Sequence, residues 1–193
     1  MNPIERAATD RFALLRREDL KTDEARAIWD KRLQQIHNTF VGGHFNVMMH
    51  TPKLCERVSD LEGYFRTESA LDKHDRELIT CTVLRKAAAR YGWARHEKRA
   101  IQDGVPAEVI ELLRGQAPLG DFPPAYRPIV EFARALTFAS DELPRELFDR
   151  MVKAKGERWV IDAIALVGHY SLVAVTVHGY GVRASDEVDG RTF

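Results

Sequence analysis

The chain has 193 residues, with 29 Lys+Arg against 29 Asp+Glu, 45% hydrophobic residues and 2 Cys. That length suits one globular domain, or one domain with an appended arm, and buries a real core. Zero net charge excludes the electrostatic case for nucleic acid. Two cysteines, Cys55 and Cys81, exclude a disulfide framework and cannot by themselves complete a four-ligand zinc site.

At the N-terminus, Met1 to Arg6 lacks an apolar core, and charges recur as far as Lys31 and Arg32. A secretory signal needs an uninterrupted apolar stretch, so none is expected here. The most apolar segment, 160–177, is broken by Asp162, His169 and Ser171, with Gly168 near its centre. It is too polar for a membrane span of about 20 residues. A buried helix, no membrane partner and a cytoplasmic location are the expectations.

Periodicity is helical almost throughout. Ile28, Trp29, Leu33, Ile36 and Phe40 recur at three- and four-residue steps, predicting a helix over 22–40 that Gly42-Gly43 stops. Thr51-Pro52 reads as an N-cap with proline at the first helical position, opening a helix that carries Leu54, Val58, Leu61 and Phe65. Asp72 caps the next, with Leu78, Ile79, Val83 and Leu84. Tyr91-Gly92-Trp93 reads as an interruption, followed by a helix to about Gln102 and a short one from Pro106 to Gly115. Four prolines within 116–128 read as a surface connection. Helices over 129–138, 144–155 and 157–177 complete an all-α fold. The expected organisation is an N-terminal helical arm, 1–43, and a helical domain, 44–193.

Chemistry concentrates in 76–96. Glu77 and His96 are 19 residues apart, about 28 Å along one straight helix and too far to cooperate. If the chain turns back near Gly92, the two face one another across a helical hairpin. A carboxylate accepting from one imidazole nitrogen fixes the tautomer and leaves the other nitrogen as a base near neutral pH. Alternatively, Glu77 pairs with Arg76 or Lys73, and His96 lies on a solvated face.

The run Arg76-Glu77-Leu78-Ile79, then Ala89-Arg90-Tyr91-Gly92-Trp93-Ala94-Arg95-His96, then Gly104-Val105-Pro106-Ala107-Glu108-Val109-Ile110, resembles the carboxymuconolactone decarboxylase family. Upstream, the stretch from Phe45 to Pro52 is also similar to that family. The resemblance implies an alkylhydroperoxidase D-like helical bundle, a homo-oligomer (trimer or hexamer) with active sites near subunit interfaces, and no cofactor. Its members include a lactone decarboxylase and thiol peroxidases of the alkylhydroperoxidase D type. Laid on this chain, the peroxidase Glu and His fall on Glu77 and His96, while its Cys-x-x-Cys pair falls on Ala89 and Gly92. The decarboxylase members carry a second Glu where this chain has Gly92.

A thiol peroxidase needs one thiolate to attack and a second thiol to resolve the sulfenic acid. Cys81 shares a helix face with Glu77, whose charge disfavours a thiolate, and Cys55 reads as a small buried hydrophobe. The small residue at Gly92 leaves room for a larger substrate or serves a turn.

Other candidates are substrate-binding: His50 ahead of the Thr51 cap, Arg85 as a bidentate carboxylate partner, and Tyr91 and Trp93 as an aromatic wall. Each has a structural alternative, in capping, ion pairing or packing. His169 and His178, nine apart, point to nearly opposite sides of the last helix, so one faces the pocket or an interface and the two cannot form a simple chelate. His74 and Glu77 have a metal-compatible spacing, but a di-iron bundle wants a Glu-x-x-His on each of two helices, the sequence has none, and no metal is expected. Arg150, Lys153 and Lys155 read as a solvated face. The function expected is acid–base chemistry on a small organic acid, with His96 moving the proton and Glu77 orienting it. The alternatives are a residual peroxidase using Cys81, or a non-catalytic oligomer that binds a small ligand.

Overall fold

Helical periodicity resolves, among the described residues, into nine α-helices and no strand. A computed structural model describes residues 9–183 and Phe193; the Met1 to Arg6 stretch read for a leader lies outside them. The helices are α1 (Asp23–Ile36), α2 (Gly43–Met48), α3 (Pro52–Thr67), α4 (Lys73–Lys86), α5 (Arg90–Gln102), α6 (Ala107–Arg114), α7 (Arg127–Leu136), α8 (Arg145–Lys155) and α9 (Glu157–Tyr180).

Local chemistry explains four of the helix starts. The Thr22 hydroxyl accepts from the Ala25 N–H at 3.1 Å, and Asp72 Oδ1 accepts from the Asp75 N–H at 2.8 Å. Proline occupies the first turn of α3 and α7, where its missing N–H is not needed. The end of α1 differs from the expected one. The helix stops at His37, in the left-handed region at φ 49°, and Gly42 is the N-cap of α2 rather than a stop.

The turn that reverses the chain between α4 and α5 is also displaced from its expected place. Ala88, at φ 52°, makes it, and Tyr91-Gly92-Trp93 lies within α5. Packing explains the shift, since Tyr91 and Trp93 are both buried. A Cβ on Gly92 would stand 2.7 Å from Leu84 Cδ2, so the glycine lets α5 approach α4. The proline-rich connection is pinned: Phe122 is buried, and Arg127 donates to the carbonyls of Gly120 and Phe122 at 2.9 and 3.0 Å.

Helix α4 is enclosed, with every residue from Glu77 to Leu84 buried. It packs against α5, α7 and α9, and α9 runs through the same core. The polar interruptions of α9 are satisfied internally: Asp162 accepts from the Tyr64 hydroxyl and the Ala70 N–H, both at 2.7 Å. By length and composition α9 passes as a membrane span, the one such helix among the described residues, yet 56% of its most apolar window is buried in the fold.

A second apolar cluster lies where α1 and α2 meet α3, built on Ile28, Trp29, Phe45, Met48 and Val58. On α3, Val58 and Phe65 are buried as the pattern predicts, but Leu54 and Leu61 face outward. Ahead of α1, the backbone of Leu15 is clamped by Asn46, whose amide accepts from its N–H at 3.0 Å and donates to its carbonyl at 2.8 Å.

Candidate active site

The α4–α5 reversal brings Glu77 and His96 together. Nδ1 of His96 lies 2.7 Å from Glu77 Oε2, and both side chains are buried. Burial alone would raise the Glu77 carboxyl, but His96, Arg99 and Arg76 outweigh it and hold it below its ordinary value. An ionised Glu77 can only accept, so Nδ1 carries a proton, and in the neutral imidazole Nε2 presents a lone pair. Tyr170, from α9, places its hydroxyl 3.3 Å from Nε2 and therefore donates to it. The result is a chain of three groups on three helices, Glu77–His96–Tyr170.

His96 and Tyr170 border a cavity of about 50 Å³ lined by α1, α2, α3, α5 and α9. Four arginines line it (Arg32, Arg66, Arg95 and Arg99), against one lining carboxylate, Glu62. Arg32 and Glu62 form a buried ion pair at 2.7 Å, and Arg66 pairs with the same carboxylate. Although burial opposes it, these two cations hold Glu62 well below the usual carboxylate range. Arg32 also stacks on Phe45 at 3.7 Å from its centroid.

Two further histidines reach the cavity. Both ring nitrogens of His44 and the Nδ1 of His169 are buried, without a hydrogen-bond partner among the described residues. Burial pushes His44 down to about 3 and His169 to about 4, so both rings are neutral near pH 7. Three histidines at one cavity invite the thought of a metal. The excess of guanidinium charge opposes a divalent cation there.

Elsewhere, Asp72, His74 and Asp75 place ligand-type atoms within 4.8 Å of one another. Asp75 is already engaged by Lys155 at 2.7 Å and the Trp159 indole at 3.0 Å, and Asp72 caps α4. His74 leans on Asp75 and Tyr126 while Glu77 faces His96, so these two do not converge. Lys155 is thus part of a buried network and not only of a solvated face.

Of the four residues read as substrate-binding, Tyr91 alone lines the cavity. Its hydroxyl occupies the place of the missing side chain at Gly43, where a Cβ would lie 2.0 Å away. His50 is exposed and holds the Ala13 carbonyl at 3.0 Å. Arg85 donates to the Arg114 carbonyl at 2.7 Å and stacks on Phe193. Trp93 is core, its indole donating to Glu97 at 2.9 Å. His50, Arg85 and Trp93 are therefore structural here, each absorbed by a local partner. Of the last-helix histidines, His169 faces the cavity and His178 binds the Ala87 carbonyl at 2.9 Å.

Sequence reasoning did not single out Arg32, His44, Glu62, Arg66, Arg99 or Tyr170. A signal existed for two of them. Arg32 falls three and four residues after Trp29 and Ile28, and Glu62 lies four after Val58 and three before Phe65. A charge on an apolar helix face is a buried charge that needs a partner.

The segment holding the hairpin has a recognisable pattern. Residues 52–137 match the model of the carboxymuconolactone decarboxylase family. Over that segment, somewhat less than half of its length, the chain is similar to the family. Glu77 and His96 lie inside the matched segment, whereas Arg32, His44, His169 and Tyr170 lie outside it. Among solved structures, the debrominase Bmp8, a cysteine-to-alanine variant in complex with 2,3,4-tribromopyrrole, superposes with a TM-score of 0.73. It is 16% identical, over 96% of this chain and 97% of that one. The alkylhydroperoxidase AhpD core of an uncharacterized peroxidase-related protein from Ralstonia eutropha JMP134 superposes with a TM-score of 0.70. It is 19% identical, over 93% and 94% of the two chains. Likeness at this identity establishes the alkylhydroperoxidase D-like helical fold. No curated protein sequence matches the chain.

Proposed function

We propose that this protein is a carboxymuconolactone decarboxylase-like enzyme performing acid–base chemistry on a small organic acid, by decarboxylation or by proton transfer on a lactone or enol. The observation that carries the reading is His96 held between Glu77 and Tyr170 at the edge of a cavity. In a decarboxylation, breaking the bond to the carboxylate releases CO₂ and leaves the electron pair as an enolate. The Tyr170 hydroxyl donates a hydrogen bond to the enolate oxygen, and a proton carried on Nε2 of His96 goes to the carbon. Glu77 stabilises the imidazolium that precedes this transfer. The contact between Tyr170 and Nε2 is long for such a bond, so a substrate atom can take either position.

Thiol chemistry is the weaker reading. Burial raises the Cys55 thiol to about 11 and pushes Cys81 well above its ordinary value, with Glu77 and Glu97 adding to the latter. Both thiols are fully enclosed.

We also infer self-association, as the family resemblance implies, through the outward face of α9. Ile161, Ile164, Leu172 and Val175 expose apolar surface there at helical spacing. Native mass measurement tests it, and a monomer at micromolar concentration refutes it.

The test of the chemistry is a screen of small β-keto acids and carboxylated lactones in D₂O, reading CO₂ release and deuterium at the product carbon. His96→Ala abolishes both while the fold persists, and replacing Cys55 and Cys81 with alanine changes neither. Full turnover by His96→Ala refutes the assignment.

A further inference from the structure

Among the described residues, the arginines that line the cavity outnumber its one lining carboxylate, Glu62. Glu62 is shared by Arg32 and Arg66, and Glu77 is engaged by His96 and Arg76. Arg99 lines the same cavity one helical turn beyond His96, and among the described residues it has no ion-pair partner. Its charge nevertheless reaches inward, favouring the ionised forms of Glu77 and Tyr170. Across the cavity wall, both ring nitrogens of His44 and Nδ1 of His169 are buried and, among the described residues, no group satisfies them. Neutral imidazoles each offer one N–H donor, and leaving such groups unbonded in the interior costs free energy.

We propose that Arg99, with the N–H groups of His44 and His169, forms a subsite for the carboxylate of an anionic substrate, presenting it to His96 and Tyr170. A guanidinium provides the planar pair of donors that a carboxylate takes up, and the imidazoles complete its remaining acceptor positions. The volume agrees. On the relevant measure one water needs roughly 10–15 Å³, so a cavity of about 50 Å³ takes a carboxylate-sized group. A cation is the wrong ligand for this charge pattern, and an uncharged molecule leaves Arg99 uncompensated. This subsite extends the acid–base reading of the cavity by naming the residues that select its substrate.

Acetate and acetamide differ by a charge at nearly constant shape and serve as probes. The imidazole resonances of His44 and His169, assigned with His44→Phe and His169→Phe, are followed by NMR during titration at constant ionic strength. Acetate shifts both resonances saturably in the wild-type chain, and acetamide does not. Arg99→Gln weakens acetate at least tenfold, and Arg99→Lys recovers part of the loss. The half-buried position of Arg99 on α5 leaves the fold of both variants intact, which circular dichroism checks. Equal responses to acetate and acetamide, or undiminished binding by Arg99→Gln, overturn the proposal. His96→Ala separates the two readings, because it retains acetate binding while losing turnover. If acetate fails to bind and His96→Ala still abolishes turnover, the subsite is wrong and the acid–base assignment stands.

Discussion

Glu77 Oε2 and His96 Nδ1 meet at 2.7 Å although 19 residues separate them in the chain. The carboxylate dictates which ring nitrogen is protonated, and so directs the lone pair of Nε2 toward Tyr170 and the cavity. Glu77→Gln keeps the shape but offers an amide that can donate as well as accept, so the tautomer is no longer enforced. The expected outcome is a fall in kcat of roughly 10²- to 10⁴-fold with little change in KM. Steady-state kinetics on a turned-over substrate, beside circular dichroism, provide the check.

Tyr170→Phe isolates the hydroxyl. The ring stays packed between His96 and His169, with centroids at 5.1 Å from each, so the core is preserved. Stability changes by no more than about 1 kcal/mol, near the net worth of one hydrogen bond. A kcat loss of about tenfold or more marks Tyr170 as a group touching the reacting atoms. An unchanged kcat reduces it to packing.

The Arg32–Glu62 pair links α1 to α3 and forms one wall of the cavity. Removing one partner leaves a buried charge unmatched, and Arg32→Met is expected to cost about 3–5 kcal/mol. Combining it with Glu62→Leu removes the stranded carboxylate and restores much of that stability, since Arg66 is near the surface and can turn to water. Urea denaturation of the two single variants and the double variant measures the coupling.

Acid lowers stability in a predictable window. His44 and His169 ionise near about 3 and about 4 in the folded chain, against 6.5 when unfolded. Between those limits the unfolded state binds more protons, so stability is complete above about pH 6.5 and declines as pH falls. The slope is about 1.4 kcal/mol per pH unit for each proton taken up on unfolding. The groups facing His44 are Glu62, which opposes the effect, and Arg32, Arg95 and His169, which reinforce it. Glu62 and Glu77, both lowered, add their own loss below about pH 4.5. Thermal melts from pH 7 to pH 4 read the slope, and His44→Phe makes it shallower.

Gly43 is fixed by two independent constraints. Its φ of 63° is left-handed, and a Cβ there would overlap the Tyr91 hydroxyl. Gly43→Ala therefore combines backbone strain of about 1–2 kcal/mol with overpacking of about 1–3 kcal/mol. The measured loss in a denaturant titration should fall in that combined range. A loss of only about 1–2 kcal/mol shows that Tyr91 moves aside and that backbone strain alone remains.

What the amino-acid sequence determined by itself was local or periodic. Apolar spacing marked the helices, Thr22 and Asp72 marked two starts, and the order Glu77, turn, His96 marked a pair that the fold brings together. The absence of cysteine at Ala89 and Gly92 bounded the chemistry. Tertiary packing decided the rest. Ala88 turns the chain because Tyr91 and Trp93 are more stable buried within α5, an energy that no local propensity records. His50, Arg85 and Trp93 left the site because carbonyls, an aromatic ring and a carboxylate brought in by the fold satisfied them. Arg32, His44, Glu62, Arg99 and Tyr170 joined it from five different helices. Periodicity tells which face of a helix is buried, but only packing tells which buried faces meet, and a cavity belongs to that meeting.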